Sequence, residues 1–245
     1  MANEHEGNLA PPQVPRAVLL AWGRSPATTK GPRPRWTLEQ LLAAAVRLGD
    51  EQGIDAITMS GLAKALGSGT MSLYRYVESR EDLVILAADH ALGPGGAPEG
   101  AGWRDRLRAW VRDLREAYER HPWLTAIPVG TEPLLPSYLH RLESGLACLE
   151  PTGISGERAV TVLTMLWTYT RGEVEQYAQL ATLAEEAATG VNEVLAARLR
   201  ALTGDALPRV LATLEQEAAS TASDHDEFDA AISIVLDGLT PPTER

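Results

Sequence analysis

Between Thr58 and Leu83 the sequence reads TMSGLAKALGSGTMSLYRYVESREDL, with apolar residues at helical spacing on both sides of a Gly-Ser-Gly break. That pattern leaves the segment few ways to fold. Thr58 is an N-cap residue whose hydroxyl can accept a free backbone N–H of the first turn, and Met59, Leu62, Ala63 and Leu66 then form one apolar stripe. Gly67 and Gly69 bracket Ser68 and suit a tight turn that needs positive φ. The spacing predicts a second helix over 70–76 with Leu73 and Val77 turned inward. A turn this short makes the two helices cross steeply, so the second can lie in a groove about 12 Å wide while the first crosses the backbone. Thr70, Ser72, Tyr74, Arg75 and Tyr76 then lie beside each other on the outward side, as in a reader of the DNA major groove.

These strings resemble the tetracycline-repressor (TetR) family of bacterial transcription regulators. TLEQLLAAAVRLGDEQGIDAITMSGLAKALG is similar to the family's first two helices, and SLYRYVESREDL to its recognition helix and the start of its connecting helix. The resemblance implies base and phosphate contacts for Thr70, Met71, Ser72, Tyr74, Arg75 and Tyr76, a phosphate contact for Arg80, and further contacts from Thr37, Thr58 and Ser60. Ser60 stands where the tetracycline repressor has a base-reading arginine, which implies a different operator sequence.

The charge distribution agrees with this on separate grounds. The chain has 22 basic and 33 acidic residues, net −11, which argues against indiscriminate polyanion binding. Residues 16 to 82 nevertheless hold nine basic against seven acidic residues, so the acidic excess lies outside the reading head, where it would repel DNA and orient approach.

Upstream, Arg16, Arg24, Lys30, Arg33 and Arg35 occur without an acidic residue among them, and Pro32 and Pro34 keep GPRPRW extended. Lys30, Arg33 and Arg35 can be read as an arm entering an adjacent minor groove, or as a solvated linker. AVLLAW is too short for a membrane span or for the apolar core of a secretory signal, so a cytoplasmic protein that binds no membrane is expected, with Val18 to Trp22 packed back on the folded body. The single Cys148 excludes an intramolecular disulfide and a cysteine-rich zinc site, and its place beside Leu142, Leu146 and Leu149 reads as a buried structural thiol.

Only one Phe, few β-branched alternations and 44% apolar residues point to an all-α fold packed on Leu and Ala. Helices are expected at 37–53, 59–66, 70–76, 80–92, 102–121, 133–150, 155–188, 191–203, 205–220 and 226–239, with GPGGAPEGAG at 93–102 as a mobile joint. The domain division expected is a basic N-terminal extension over 1–35, a helix-turn-helix DNA-binding domain over 36–83, and a larger helical ligand-binding and dimerisation domain over 84–240.

On the final helix, Phe228, Ala231, Ile232, Val235, Leu236 and Leu239 form a full apolar stripe that needs a partner surface. In the resembled family this segment and the helix carrying ERAVTVLTMLWTYTRGEVEQ make a four-helix bundle across a two-fold axis. The implied homodimer interface comprises Val160, Leu163, Trp167, Phe228, Ile232, Val235, Leu236 and Leu239, and would present two recognition helices about 34 to 36 Å apart to a near-palindromic operator. The other reading of the stripe is intramolecular core.

Aromatic residues gather in the middle helices, which fits an apolar inducer pocket with few polar anchors, although an aromatic at helical spacing is more often core. Trp110, Trp123, Tyr138, Met165, Trp167, Tyr169, Arg171 and Glu175 are the candidates for contact with a small effector of apolar or aromatic character. The tetracycline repressor's metal ligands do not carry over: Pro128 stands at its histidine position, and Gln176, or Glu175 with a register slip of one, at its glutamate. A hard dication wants imidazole and carboxylate ligands in a defined set, so neither a metal nor another cofactor is expected.

The sequence shows no phosphate loop, His-Glu-x-x-His, Cys-x-x-Cys or Gly-x-Ser-x-Gly elbow, and its five histidines are dispersed, so an enzyme is not expected. The chain is expected to be a dimeric, ligand-released repressor that binds double-stranded operator DNA. The alternatives are an activator of the same fold and a helical adaptor whose reading head meets protein instead.

Overall fold

The computed structural model describes residues 14–24, 35–187, 190–204, 206–219 and 224–239, and these contain helices and turns but no strand. Ten helices follow one another: α1 Arg16–Ala21, α2 Leu38–Gln52, α3 Met59–Ala65, α4 Arg80–Leu92, α5 Trp103–Arg120, α6 Pro136–Leu149, α7 Gly156–Ala187, α8 Val191–Thr203, α9 Pro208–Ala218 and α10 Asp224–Gly238. They divide into two units. The first runs to Pro94 and takes back Glu132–Leu139; the second comprises Gly95–Thr131 and everything from His140 on. The boundary expected after Leu83 therefore moves to Gly95, because α4 packs on α1 and α2.

Caps fix the helix starts of the first unit. Thr37 and Gln40 form a reciprocal capping box on α2, with Gln40 N donating to Thr37 Oγ1 at 3.1 Å and Thr37 N donating to Gln40 Oε1 at 3.0 Å. Thr58 Oγ1 accepts from Gly61 N at 2.9 Å at the start of α3, and Ser79 Oγ accepts from Asp82 N at 3.0 Å at the start of α4. Gly61 is required by space: a Cβ there would lie 2.6 Å from the Ala56 carbonyl oxygen. Leu41, Ile57, Leu62, Leu73, Val77, Leu83 and Leu86 fill the core beneath these caps.

Residues 16–21, expected to pack back without a helix of their own, form the short α1. Ala17 and Val18 are buried, Arg16 pairs with Glu78, and the indole N–H of Trp22 donates to the Leu134 carbonyl at 2.8 Å. Asp89 Oδ1 accepts from Ser137 N at 2.8 Å, so residues 132–139 are tied to α4 as well.

In the second unit, α5 buries Leu107, Trp110, Val111, Leu114 and Tyr118, and the C-terminal helix lies along it. Arg104, Arg108 and Arg112, four residues apart, meet Asp237, Ser233 and Asp229, four apart in the opposite direction: Arg104 Nε is 3.9 Å from Asp237 Oδ1, Arg108 Nη2 donates to Ser233 Oγ at 3.2 Å, and Arg112 Nε donates to Asp229 Oδ1 at 3.1 Å. The guanidinium of Arg115 sits 4.6 Å from the centre of the Phe228 ring.

This antiparallel match turns Phe228, Ile232 and Leu236 inward, at 2%, 1% and 0% exposure. Their expected role in a dimer interface is corrected: they are core of this chain. Leu163 and Trp167 are buried too, and a Cβ on Gly145 would lie 2.7 Å from Leu163 Cδ2, so a glycine is what lets α6 and α7 approach there. Val235 and Leu239 are half-buried, whereas Val160 is exposed. Cys148 is buried as expected, and burial pushes its thiol up.

Candidate nucleic-acid interface

The reading segment hangs on two buried side chains. Leu73 and Val77 are wholly inside, and the chain between Gly69 and Val77 winds around them as a tight 3₁₀ turn at Thr70–Ser72 followed by further turns. The regular helix expected over 70–76 is not formed. Most of its bonds span three residues, Leu73 N to Thr70 O at 2.9 Å and Tyr76 N to Leu73 O at 2.8 Å, with a single i→i+4 bond from Val77 N to Leu73 O at 3.3 Å, because so short a stretch gains too few i→i+4 bonds to offset nucleation. Gly67, at φ +58, makes the turn from α3, and the Ser68 and Ser72 hydroxyls lie 2.5 Å apart, Ser72 also donating to the Gly69 carbonyl.

What this leaves outward is compact. Met71 is 82% exposed and Tyr74 46% exposed, with Arg75 and, on α3, Ser60 and Lys64 also exposed. An unbranched apolar side chain and a phenol are thus held out in water instead of in the core. Thr70 and Ser72 are half-buried at its edge.

Other candidates have internal duties. The Tyr76 hydroxyl donates to the Trp36 carbonyl at 2.9 Å and accepts from Trp36 N at 3.2 Å, closing the entry to α2 against the reading segment. Arg75 lies over the Tyr76 ring at 4.8 Å and donates to its hydroxyl at 2.7 Å, so its guanidinium is pre-positioned at the rim. Arg80 donates through Nε to the Ile57 carbonyl at 3.1 Å and through Nη2 to the Ile54 carbonyl at 3.4 Å, with Asp55 3.7 Å away. Thr37 and Thr58 spend their hydroxyls on caps, and Ser60 Oγ is 3.2 Å from Thr58 Oγ1. Arg35 is exposed over the Trp36 ring, while Lys30 and Arg33 lie outside the described residues.

Sequence reasoning missed Lys64, whose only signal is a cation in the last turn of α3. It also missed the Trp36–Tyr76 bond, which joins residues forty apart and has no signature in spacing.

The aromatic candidates of the second unit separate into two groups. Trp110, Trp123 and Trp167 are buried; Trp110 and Trp167 meet edge to face at 5.9 Å, Trp110 Nε1 donates to the Arg141 carbonyl at 2.8 Å, and Trp167 Nε1 donates to Tyr118 Oη at 2.9 Å. Burial, only partly offset by that bond, raises the Tyr118 phenol. Arg171 donates to the Thr125 carbonyl and sits 3.6 Å from Glu175. Met165 and Tyr169 instead stand exposed on α7. Tyr138 belongs to the first unit. A cavity of about 1080 Å³ touches Tyr169 alone of these candidates, and a shallower depression of about 660 Å³ runs along Val160, Thr164, Met165 and Tyr169. Among the described residues no group of His, Cys, Asp and Glu could hold a metal ion, and no helix is long and apolar enough to cross a membrane.

Comparison with known proteins bears on both units. Residues 41–87 match the family described as bacterial regulatory proteins, tetR family, and residues 95–241 match the tetracyclin repressor-like C-terminal domain. The HTH-type transcriptional repressor DrrR1 of Streptomyces coeruleorubidus is 31% identical over 235 residues, covering 92% of this chain and 85% of its own length. The class E tetracycline repressor of Escherichia coli is 27% identical over 146 residues, 57% of this chain and 68% of that protein. Among solved structures, the Streptomyces coelicolor TetR family protein ActR in complex with (S)-DNPA superposes with a TM-score of 0.70 at 24% identity over 85% of this chain and 98% of its own.

Proposed function

The chain belongs to the TetR family of bacterial transcription regulators, non-enzymatic DNA-binding proteins, and we propose that within it this protein is a repressor that binds a near-palindromic operator as a homodimer and leaves it when a small ligand binds the second unit. The observation that carries the DNA-binding site is the exposed group of Met71, Tyr74 and Arg75 beside Ser60 and Lys64, held by the buried pair Leu73 and Val77. Arg75 supplies a bidentate donor, Tyr74 a hydroxyl for phosphate or base edge, and Met71 an apolar surface for a thymine methyl. Lys64 adds a phosphate contact.

The dimer surface follows from what the fold leaves uncovered. Between Arg158 and Arg171, α7 carries no charge, and Val160, Thr161, Thr164, Met165, Thr168 and Tyr169 form one exposed, neutral face along it. A second copy related by a two-fold axis is the occupant that places two reading segments on successive faces of one duplex, about 34 to 36 Å apart. Ile234, 75% exposed on α10, is the other large apolar side chain suited to this role. Ligand release then needs only a change in the separation of the two reading segments, and a coupling of about 1 to 3 kcal/mol changes occupancy by roughly 5- to 150-fold. Such a protein works in the bacterial cytoplasm, at the nucleoid when bound.

Selection of bound fragments from a random duplex pool tests the reading. An inverted repeat with half-sites one helical turn apart is expected. Recovery of no sequence, or of a single unrepeated half-site, refutes the dimeric operator.

A further inference from the structure

The cavity of about 1080 Å³ lies wholly within the second unit, among the end of α5, the middle of α7, the start of α8, the end of α9 and the start of α10. Among the described residues its lining is one-sided in charge. Glu119, Glu173, Glu217 and Glu227 border it, against the guanidinium of Arg115. That cation is already committed: Nε donates to Glu119 Oε1 at 2.8 Å, Nη2 stands 3.3 Å from Glu173 Oε1, and the plane covers the Phe228 ring. Among the described residues, four carboxylates and one guanidinium thus border one space.

Aromatic rings share the wall. Tyr169 stacks on Phe228 with centroids 5.9 Å apart and planes 14° from parallel, and the Tyr177 hydroxyl donates to Glu227 Oε2 at 2.8 Å. The Tyr169 phenol is pushed up, first by burial and then by the negative charge of Glu173, as a negative local potential requires.

Carboxylates and π faces around one partly enclosed space select by sign and by shape. Ring faces attract a positive charge and repel an anion, and the carboxylates act in the same direction. A bare metal ion would need several oxygens converging on one point, and the described residues offer no such group. The volume is at the upper end of small-molecule sites, enough for several fused or joined rings. We propose that this cavity binds a lipophilic organic cation with an aromatic body, its charge facing Glu173, Glu217 and Glu227 and its rings against Tyr169 and Tyr177. The proposal rests on the reading of the second unit as the effector-binding body and gives that effector its chemical class.

Tetraphenylphosphonium and tetraphenylborate, nearly identical in shape and opposite in sign, test this by titration calorimetry on the full chain without DNA. The phosphonium is expected to bind saturably and at least about tenfold more tightly than the borate. Glu217→Gln with Glu227→Gln, both at exposed positions, should weaken the phosphonium by about fivefold with unchanged helical circular dichroism, and lysine at both positions should shift the preference toward the borate. Equal binding of the two ions, tighter binding of the borate, or no binding of either overturns the assignment. An operator titration with the phosphonium separates this from the repressor reading. Binding without any change in operator occupancy leaves the site standing and removes ligand release; operator binding without phosphonium binding does the reverse.

Discussion

Tyr74 and Arg80 were grouped by sequence as DNA contacts, and their surroundings give them opposite tests. Tyr74 projects 46% exposed, so Tyr74→Ala should weaken operator binding by about 1 to 3 kcal/mol, measured by fluorescence anisotropy, with the thermal midpoint unchanged. Wild-type affinity in that variant would remove it from the interface. Arg80 donates to the carbonyls of Ile57 and Ile54 and thereby holds the short turn that leads into α3. Arg80→Ala should cost about 1 to 3 kcal/mol of stability by denaturant unfolding, since it leaves the part-buried Ile57 carbonyl without its charged donor. A variant as stable as wild type that nonetheless lost operator would return Arg80 to direct phosphate contact. Gly145→Ala is a third test at this scale. Its methyl would meet Leu163 at 2.7 Å and the Trp110 ring at 3.2 Å, so an overpacking cost of about 1 to 3 kcal/mol is expected by the same unfolding measurement.

At the scale of elements, much of the fold could be read from chain chemistry where a cap marks the end. α4 runs over 80–92 as expected because Ser79 caps it and Gly93, at φ +63, ends it. Where a proline opens the helix the expected start came too early: α6 begins at Pro136 and α9 at Pro208, prolines whose missing N–H costs nothing in a first turn. Over 70–76 the inward turn of Leu73 and Val77 is legible in the sequence but the winding is not, since seven residues have no periodicity long enough to distinguish 3₁₀ from α. The stripe on α10 was legible as apolar, but a stripe does not say what covers it. The pairing of Arg104, Arg108 and Arg112 with Asp237, Ser233 and Asp229 decides that α5 does. Phe228→Asp should therefore destabilise the monomer by about 3 to 5 kcal/mol, seen as a lower denaturation midpoint, instead of giving a folded monomer. Met165→Asp, on the exposed face of α7, is the substitution expected to halve the mass in light scattering while helical content stays constant. A dimer that survives Met165→Asp would place the two-fold axis elsewhere.

For the molecule as a whole, net −11 is distributed so that residues 83 to 245 carry the acidic excess while the reading head does not. Operator affinity should accordingly fall with salt along a straight line in log K against log salt, with a slope of about −0.9 per phosphate neutralised, and a salt-independent affinity would exclude phosphate contacts by Lys64 and Arg75. The first unit is completed by residues far along the chain: Leu135 is buried, Leu134 accepts from Trp22, and Ser137 bonds to Asp89. Cutting after Pro94 would thus not excise a finished module. Such a fragment would leave the Trp22 indole N–H without its acceptor and Asp89 without its donor, for want of a piece made some forty positions later.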